Sequence, residues 1–209
     1  MKTLIGLPSM DMVNARFMQD LLRLRIPGDK HYGFATSSLI YDARNAIAKM
    51  AIDNQVDRVL WLDSDMTFDP DLFERLNARI DDQHQMVCGL FFSRKAPVVP
   101  CIYKELKKVY TDDGGMIPTT VSYMDYPKDS FFQIAGCGLA AVMMTGRLIG
   151  EIAEAYGPPF FPKDGFGEDL TFCNLATSLG NKIYCDSSVK IGHISSIIIN
   201  EDLYLNQNK

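Results

Sequence analysis

A buried strand that ends in two aspartates constrains this chain more than any other sequence feature. The stretch VLWLDSDMTF (59–68) begins as a continuous apolar run, which is typical of a strand covered on both faces. It closes with Asp63 and Asp65, and carboxylates at such a place are costly unless something pairs with them. Because open α/β sheets bind ligands at the carboxyl ends of their strands, the pattern predicts a ligand site here. The alternative is that the two aspartates only form the turn and cap before the next helix.

The rest of the first half alternates between strand-like and helix-like segments. TLIGLPS (3–9) and QMVCGLFF (85–92) read as strands, whereas ARNAIAKMAIDN (43–54) places its apolar residues on one helical face. We expect another helix after Asp69, with that residue as its N-cap and Pro70 in its first position. This alternation predicts a parallel α/β sheet.

The second half of the chain has a different pattern. Short antiparallel strands are expected around the turn at Asp113 and Gly114, followed by a helix that Thr145 caps and Gly157 ends. The 209 residues suit a single domain. We therefore predict one α/β domain with a mixed, mainly parallel sheet, in which 1–95 form a nucleotide-binding half and 96–200 an acceptor and catalytic half.

Composition narrows the partners. The formal net charge is −5 and the basic residues are scattered, so no nucleic-acid footprint is evident. No apolar run approaches the roughly 20 residues of a membrane helix, and the N-terminus lacks a signal-peptide core of ordinary length. The five cysteines contain no CxxC pair and are expected to be buried reduced thiols. These features favour a cytoplasmic protein without a membrane partner.

Three acidic or histidine features could carry chemistry. Asp63 and Asp65 fit a magnesium or manganese ion, which is typically held by one or two carboxylates together with substrate phosphates. Glu168 and Asp169 open a helix in GFGEDLTFCNLATSLG, either for reasons of the helix dipole or as a general base that the dipole keeps ionised. His193 in KIGHI is either structural or a further metal ligand.

The order of these blocks resembles the GT-A glycosyltransferases, specifically the family-two-like transferases. The resemblance covers roughly residues 3–195 and rests on ARNAIA, LWLDSDMTF, AGCGLAAVMMTGRLI and GEDLTFCNLATSLGNKIYCDSSVKIGH. It implies a Rossmann-like GT-A fold, a manganese or magnesium cofactor, a nucleotide-diphosphate sugar donor and a hexosyltransferase-like, inverting transfer to an acceptor hydroxyl. The chain is short for that family and lacks the QxxRW motif of processive members, which argues against a polymer synthase.

The resemblance also implies roles for the acidic residues and the histidine. Asp65 and His193 would be metal ligands, and Asp63 would lie beside the donor ribose or reach the metal through water. Asp169 would be the catalytic base, with Glu168 beside it as support.

Five further residues are implied in donor binding. Pro8 and Ser9 would lie near the nucleobase, and Arg44 near the nucleotide, although a surface salt bridge explains Arg44 equally well. Gly136 and Gly138 would let the backbone approach the donor or acceptor, and close strand packing is their equal alternative.

Other functions remain open from the sequence. A haloacid-dehalogenase-like phosphatase would use Asp63 as nucleophile, Asp65 as acid and base, and Thr67 as the end of a DxDxT motif. About sixty residues precede that motif here, where such enzymes place it on the first strand. A nucleotidyltransferase and a non-catalytic sugar-nucleotide-binding module are further alternatives. Few residues are available to form an acceptor site, and YGPPFFPKDGF is the candidate segment. Its Phe160, Phe161 and Phe166 could stack on a sugar or base or simply fill the core.

Overall fold

A seven-stranded sheet forms the centre of the molecule. The computed structural model describes residues 1–10, 12–94 and 96–195. The strands are β1 (Lys2–Ser9), β2 (Asp29–Thr36), β3 (Arg58–Leu62), β4 (Met66–Thr67), β5 (Met86–Leu90), β6 (Ile102–Tyr110), β7 (Met116–Ser122), β8 (Phe131–Ile134), β9 (Gly136–Cys137), β10 (Ala141–Thr145), β11 (Ile183–Lys190) and β12 (Gly192–His193). The central order is β2-β1-β3-β10-β5-β11-β8, and only β8 and β10 run against the other five. The prediction of a mixed, mainly parallel sheet is confirmed.

Helices cover both faces of this sheet. They are α1 (Ala15–Arg23), α2 (Ile40–Asp53), α3 (Leu72–Asn77), α4 (Gly146–Tyr156) and α5 (Glu168–Ser178). Trp61 of β3 packs in one hydrophobic cluster with residues of α2, α4 and α5, whereas Leu60 and Leu62 pack in a second cluster with residues of α1 and α3. Because successive strand residues point to opposite faces, the uninterrupted apolar run of β3 follows directly from this double coverage.

Several local signals act as the sequence predicts. The Thr145 hydroxyl accepts a hydrogen bond from the Leu148 amide at 3.1 Å and caps α4, which ends at Gly157 with φ of 82°. The turn at Asp113 and Gly114 joins β6 to β7 in an antiparallel pair. All five cysteines are free; four are buried and Cys101 is half-buried.

The sequence analysis missed one strand, and one of its local predictions is wrong. The edge strand β2 was not expected, because most of its residues are exposed and it carries no apolar run. Helix α3 begins at Leu72, with Asp71 rather than Asp69 in the cap position. The preceding segment is held by long-range bonds instead: the Pro70 carbonyl accepts from the Arg25 amide at 2.9 Å. Tertiary contacts here override the local helix signal.

Two small sheets complete the fold. One pairs β12 with β4 and the other has the order β7-β6-β9. The β12–β4 pair sets His193 opposite Met66, immediately after the two aspartates of VLWLDSDMTF. Among the residues described, none of the helices is both long enough and apolar enough to cross a membrane.

Candidate active site

A buried arginine links two of the predicted motifs. Arg44 of α2 is 2% exposed. Its Nη2 donates to Asp63 Oδ1 at 2.9 Å, and its Nε donates to Glu168 Oε1 at 3.3 Å. Asp63 follows β3 and Glu168 opens α5, so the Arg44 side chain joins the DSD turn to the start of α5. We call Arg44, Asp63 and Glu168 the inner cluster.

Backbone carbonyls of the segment after β9 contact the inner cluster. The Leu139 carbonyl lies 3.5 Å from Arg44 Nη1, and the Ala140 carbonyl accepts from the Asp63 amide at 3.0 Å. The Arg44 guanidinium also lies 5.8 Å from the centroid of the Trp61 ring. The interpretation of Arg44 as a surface salt-bridge residue is therefore wrong, since its charge is enclosed and satisfied by groups from three other segments.

A second group of charged side chains lies beside the first, and its arginine is far more exposed than Arg44. Asp65 Oδ2 accepts from Arg94 Nη1 at 2.5 Å and lies 3.5 Å from His193 Nε2. We call Asp65, Arg94 and His193 the outer cluster. His193 reaches it through the β12–β4 pair, where a side chain at Gly192 would place its Cβ 2.2 Å from Thr67 Oγ1. A larger residue at this position would require the Thr67 side chain to move.

The outer cluster has donor atoms that suit a divalent cation. The Phe92 carbonyl lies 2.7 Å from His193 Nδ1, and because a carbonyl only accepts, Nδ1 carries a proton. In the neutral ring, Nε2 then presents its lone pair towards Asp65 Oδ2. A carboxylate oxygen and an imidazole nitrogen facing one another fit a manganese-type ion. Asp65 and His193 thus fit two ligands of the metal that the sequence predicts, and metal binding itself stays a prediction.

Asp63 does not join this pair. Within the described ranges, no group of three or more histidine, cysteine, aspartate or glutamate side chains is assembled for a metal ion. Asp63 instead pairs with Arg44, which explains the separation of the two aspartates. Direct or water-mediated metal contact by Asp63 stays a prediction.

Asp169 occupies the second position of α5 and is half-buried. Burial, followed by the negative charge of Glu168, raises the pKa of its carboxyl, although the Leu170 amide donates to its Oδ1 at 2.7 Å. This shift runs against the favourable position at the helix start, because desolvation is the larger effect; the ionised form of Asp169 that a base requires stays a prediction. Desolvation also raises the pKa of nearby Cys101 to about 11 and of Tyr103 to about 12, with smaller contributions from the charge of Asp169.

Glycine keeps the space beside Asp169 open. A Cβ at Gly138 would lie 3.1 Å from Phe91 Cζ and 3.8 Å from Asp169 Oδ2. A Cβ at Gly136 would lie 2.9 Å from Leu106 Cδ1, against core side chains rather than the site. The structure thus places Gly138 beside the candidate base and Gly136 against core side chains, and contact with donor or acceptor stays a prediction for both.

The remaining predicted donor residues lie at the same edge of the sheet. Pro8 and Ser9 end β1, next to β3, and both are buried. The Ser9 carbonyl accepts from the Ser37 amide at 3.4 Å. Contact with a nucleobase stays a prediction for both residues.

The aromatic residues of the predicted acceptor loop divide into two groups. Phe160 is fully buried and stacks on Phe172 with ring centroids 4.8 Å apart, and Phe166 is also buried. Both therefore fill the core. Phe161 is half-buried and packs against the same hydrophobic cluster.

Solved structures show which fold this is, whereas no family model and no curated protein matches the sequence. The chain is similar to A197 from STIV, with 19% identity, a TM-score of 0.66, and coverage of 93% of this chain and 86% of that one. GalNAc-T7, solved with UDP, GalNAc and Mn²⁺, gives 9% identity, a TM-score of 0.61, and coverage of 94% and 44%. S. aureus TarS 1–349, solved with UDP-GlcNAc, gives 15% identity, a TM-score of 0.57, and coverage of 96% of this chain and 60% of that one.

The fold is that of the GT-A glycosyltransferases. The chain spans about half the length of the GalNAc-T7 and TarS structures that it matches. In this GT-A fold both clusters lie where β3 ends, the edge at which open α/β sheets bind ligands.

One residue of the site was missed in the sequence. Arg94 bonds to Asp65 but belongs to none of the predicted motifs. The available signal was its position: SRKAP follows directly on QMVCGLFF, so two basic residues come after the carboxyl end of a buried strand.

Proposed function

We propose that this protein is a metal-dependent glycosyltransferase that moves a sugar from a nucleotide-diphosphate donor to an acceptor hydroxyl with inversion. The observation that carries the proposal is Arg44, which bonds both Asp63 and Glu168. It thereby holds the DSD turn beside the helix that carries Asp169. Arg44 and Glu168 are 124 positions apart in the sequence. A GT-A fold with a diphosphate site needs the DSD turn and the start of α5 close together.

The outer cluster would hold the donor diphosphate. Asp65 and His193 supply the oxygen and nitrogen donors for manganese or magnesium, and a bound divalent cation would neutralise charge on the leaving diphosphate as a Lewis acid. Two structural neighbours support this assignment, because GalNAc-T7 was solved with UDP and Mn²⁺ and TarS with UDP-GlcNAc. We accordingly favour a UDP-sugar as the first donor to test.

Asp169 would act as the catalytic base. Its raised pKa makes its carboxylate a stronger base than an ordinary aspartate, provided that the pH keeps it ionised. It would accept the proton of the acceptor hydroxyl while that oxygen bonds to the anomeric carbon and the bond from this carbon to the diphosphate breaks on the opposite face. Glu168 keeps the start of α5 against Arg44 and so positions the base.

The phosphatase alternative fits this structure less well. Asp63 would be its nucleophile, yet that carboxylate accepts a hydrogen bond from the buried Arg44. The GT-A fold of the chain also differs from the arrangement in which the DxD motif ends the first strand.

A cytoplasmic location stays a prediction from the sequence.

Donor turnover tests the proposal. The release of nucleoside diphosphate from UDP-, GDP- and CDP-sugars would be measured with and without Mn²⁺, with water as the default acceptor. We expect Asp169→Asn and Asp65→Asn each to reduce turnover by about 10²–10⁴-fold. Asp69→Asn is the matched control, since Asp69 is an exposed aspartate of the same segment, and it should retain activity.

The alternatives predict different results. Metal-dependent nucleotide binding without any turnover would identify a non-catalytic binding module. Release of phosphate from phosphomonoesters, lost in Asp63→Asn, would identify a phosphatase. Full activity in Asp169→Asn would place the base elsewhere.

A further inference from the structure

Arg94 is hydrogen-bonded to the carboxylate oxygen that the proposed metal needs. Its Nη1 lies 2.5 Å from Asp65 Oδ2, and the same oxygen is the one that lies 3.5 Å from His193 Nε2. A guanidinium and a divalent cation repel one another at such range. Binding of the cation between Asp65 and His193 therefore requires Arg94 to leave Asp65.

The surroundings of Arg94 permit that departure. Its side chain is 53% exposed, against 3% for Arg44 in the inner cluster. The loop that carries it is closed at its base, where the Ser93 amide donates to the Val99 carbonyl at 2.9 Å and the Val99 amide donates to Ser93 Oγ at 3.1 Å. The side chain can thus turn while the backbone beneath it stays in place.

A released Arg94 would remain at the sheet edge where the diphosphate is proposed to bind. Arg94 follows β5, which runs parallel to β3 in the central sheet, so its loop lies at the same edge as Asp65. Arginine is the side chain best suited to phosphate, because its planar fork can donate two parallel hydrogen bonds. A diphosphate held at this edge would lie within reach of the freed guanidinium.

We propose that Arg94 exchanges partners, pairing with Asp65 in the free protein and with the donor diphosphate once a divalent cation takes Asp65. This inference rests on the proposed function and adds a diphosphate-binding residue to it. Arg94 prevents Asp65 from remaining an unpaired carboxylate before the donor arrives. It then neutralises diphosphate charge from a side that the cation does not cover.

The exchange predicts opposite changes in two affinities. In Arg94→Gln, calorimetric titration with Mn²⁺ alone should show tighter binding, by about three- to tenfold, since an exposed ion pair of this kind no longer competes. Titration with UDP, GDP and CDP at saturating Mn²⁺ should show binding of the preferred nucleotide weakened by about tenfold or more. Arg94→Lys, which keeps the charge but not the fork, should fall between the two proteins in both titrations.

Arg25→Gln is the control for removing an exposed, paired arginine. Arg25 is 57% exposed and bonds Glu74 at 2.8 Å, away from the site, so its loss should change neither affinity. Circular dichroism and thermal unfolding would verify that both variants are folded.

The outcomes separate this inference from the proposed function. Wild type that binds neither Mn²⁺ nor any of the nucleotides would overturn both. Wild type that binds them, with Arg94→Gln lowering both affinities or changing only one, would overturn the exchange and leave the transferase proposal standing.

Discussion

The two aspartates of the DSD turn are almost equally exposed, at 29% and 28% of their side chains, but they pair with arginines in opposite surroundings. In the inner cluster, Asp63 pairs with Arg44, whose side chain is 3% exposed, and that arginine also holds Glu168. In the outer cluster, Asp65 pairs with Arg94, whose side chain is 53% exposed. One carboxylate is neutralised by an arginine of the interior, and the other by an arginine at the surface.

This difference teaches which charges build the site and which can serve a ligand. A buried ion pair strongly destabilises the protein when one partner is removed, because the other charge is left without compensation. An exposed pair contributes little and exchanges easily with water or another ion. We infer that the inner cluster fixes the geometry of the site, whereas the outer cluster is available for a cation and a diphosphate.

Removing the buried Arg44 side chain should have the largest effect on stability. Arg44→Met leaves Asp63 and Glu168 facing each other without a positive charge, and we expect the free energy of unfolding to fall by about 3–5 kcal/mol. Urea unfolding followed by circular dichroism measures this. A loss below 1 kcal/mol would show that the inner cluster is not structural.

Neutralising each aspartate in turn should give a smaller, unequal effect. Asp63→Asn removes a charged acceptor from buried Arg44 and should cost about 1.5–3 kcal/mol in unfolding free energy. Asp65→Asn removes an acceptor from exposed Arg94 and should cost about 1 kcal/mol or less. Equal losses in the same urea titrations would abolish the distinction between the two clusters.

The loss of Arg94 should be the smallest change in stability. Arg94→Met removes only an exposed partner of Asp65, so we expect a change within about 1 kcal/mol. Urea unfolding beside Arg44→Met makes the comparison direct. A large loss in Arg94→Met would mean that the outer cluster also builds the fold.

A change in pH dependence sharpens the role of the inner cluster without requiring a loss of stability. Glu168 is the second cause, after burial, of the raised pKa of Asp169. Because Asp169 must be ionised to act as a base, activity should fall as the pH drops through its raised pKa. Glu168→Gln removes the neighbouring negative charge and lowers that pKa, so the acid limb of the kcat/KM profile should move to lower pH. An acid limb that stays in place or moves to higher pH would separate Glu168 from the base.

The sequence predicted the sheet, and it predicted motifs that the fold then brings together, because those features have strong local signals. The apolar run before Asp63, the Thr145 cap and the paired acids at Glu168 and Asp169 each carry their own pattern. The antiparallel pairing that brings His193 beside Asp65 is long-range, and only the resemblance to GT-A transferases suggested it.

Other features had no sequence signal that could be interpreted alone. The burial of Arg44 depends on four segments that meet only in the folded chain. Arg94 lies outside every motif, and the edge strand β2 is polar and exposed. The raised pKa of Asp169 could not be anticipated either, because desolvation by the surrounding fold outweighs the favourable helix start.

The most direct measurement is a calorimetric titration of UDP, GDP and CDP, with and without Mn²⁺, into wild type and Asp65→Ala. We predict that wild type binds one of these nucleotides in a Mn²⁺-dependent manner and that Asp65→Ala does not. Failure of wild type to bind any nucleotide with the metal, or undiminished binding in Asp65→Ala, would contradict the assignment of the outer cluster to a cation and a diphosphate.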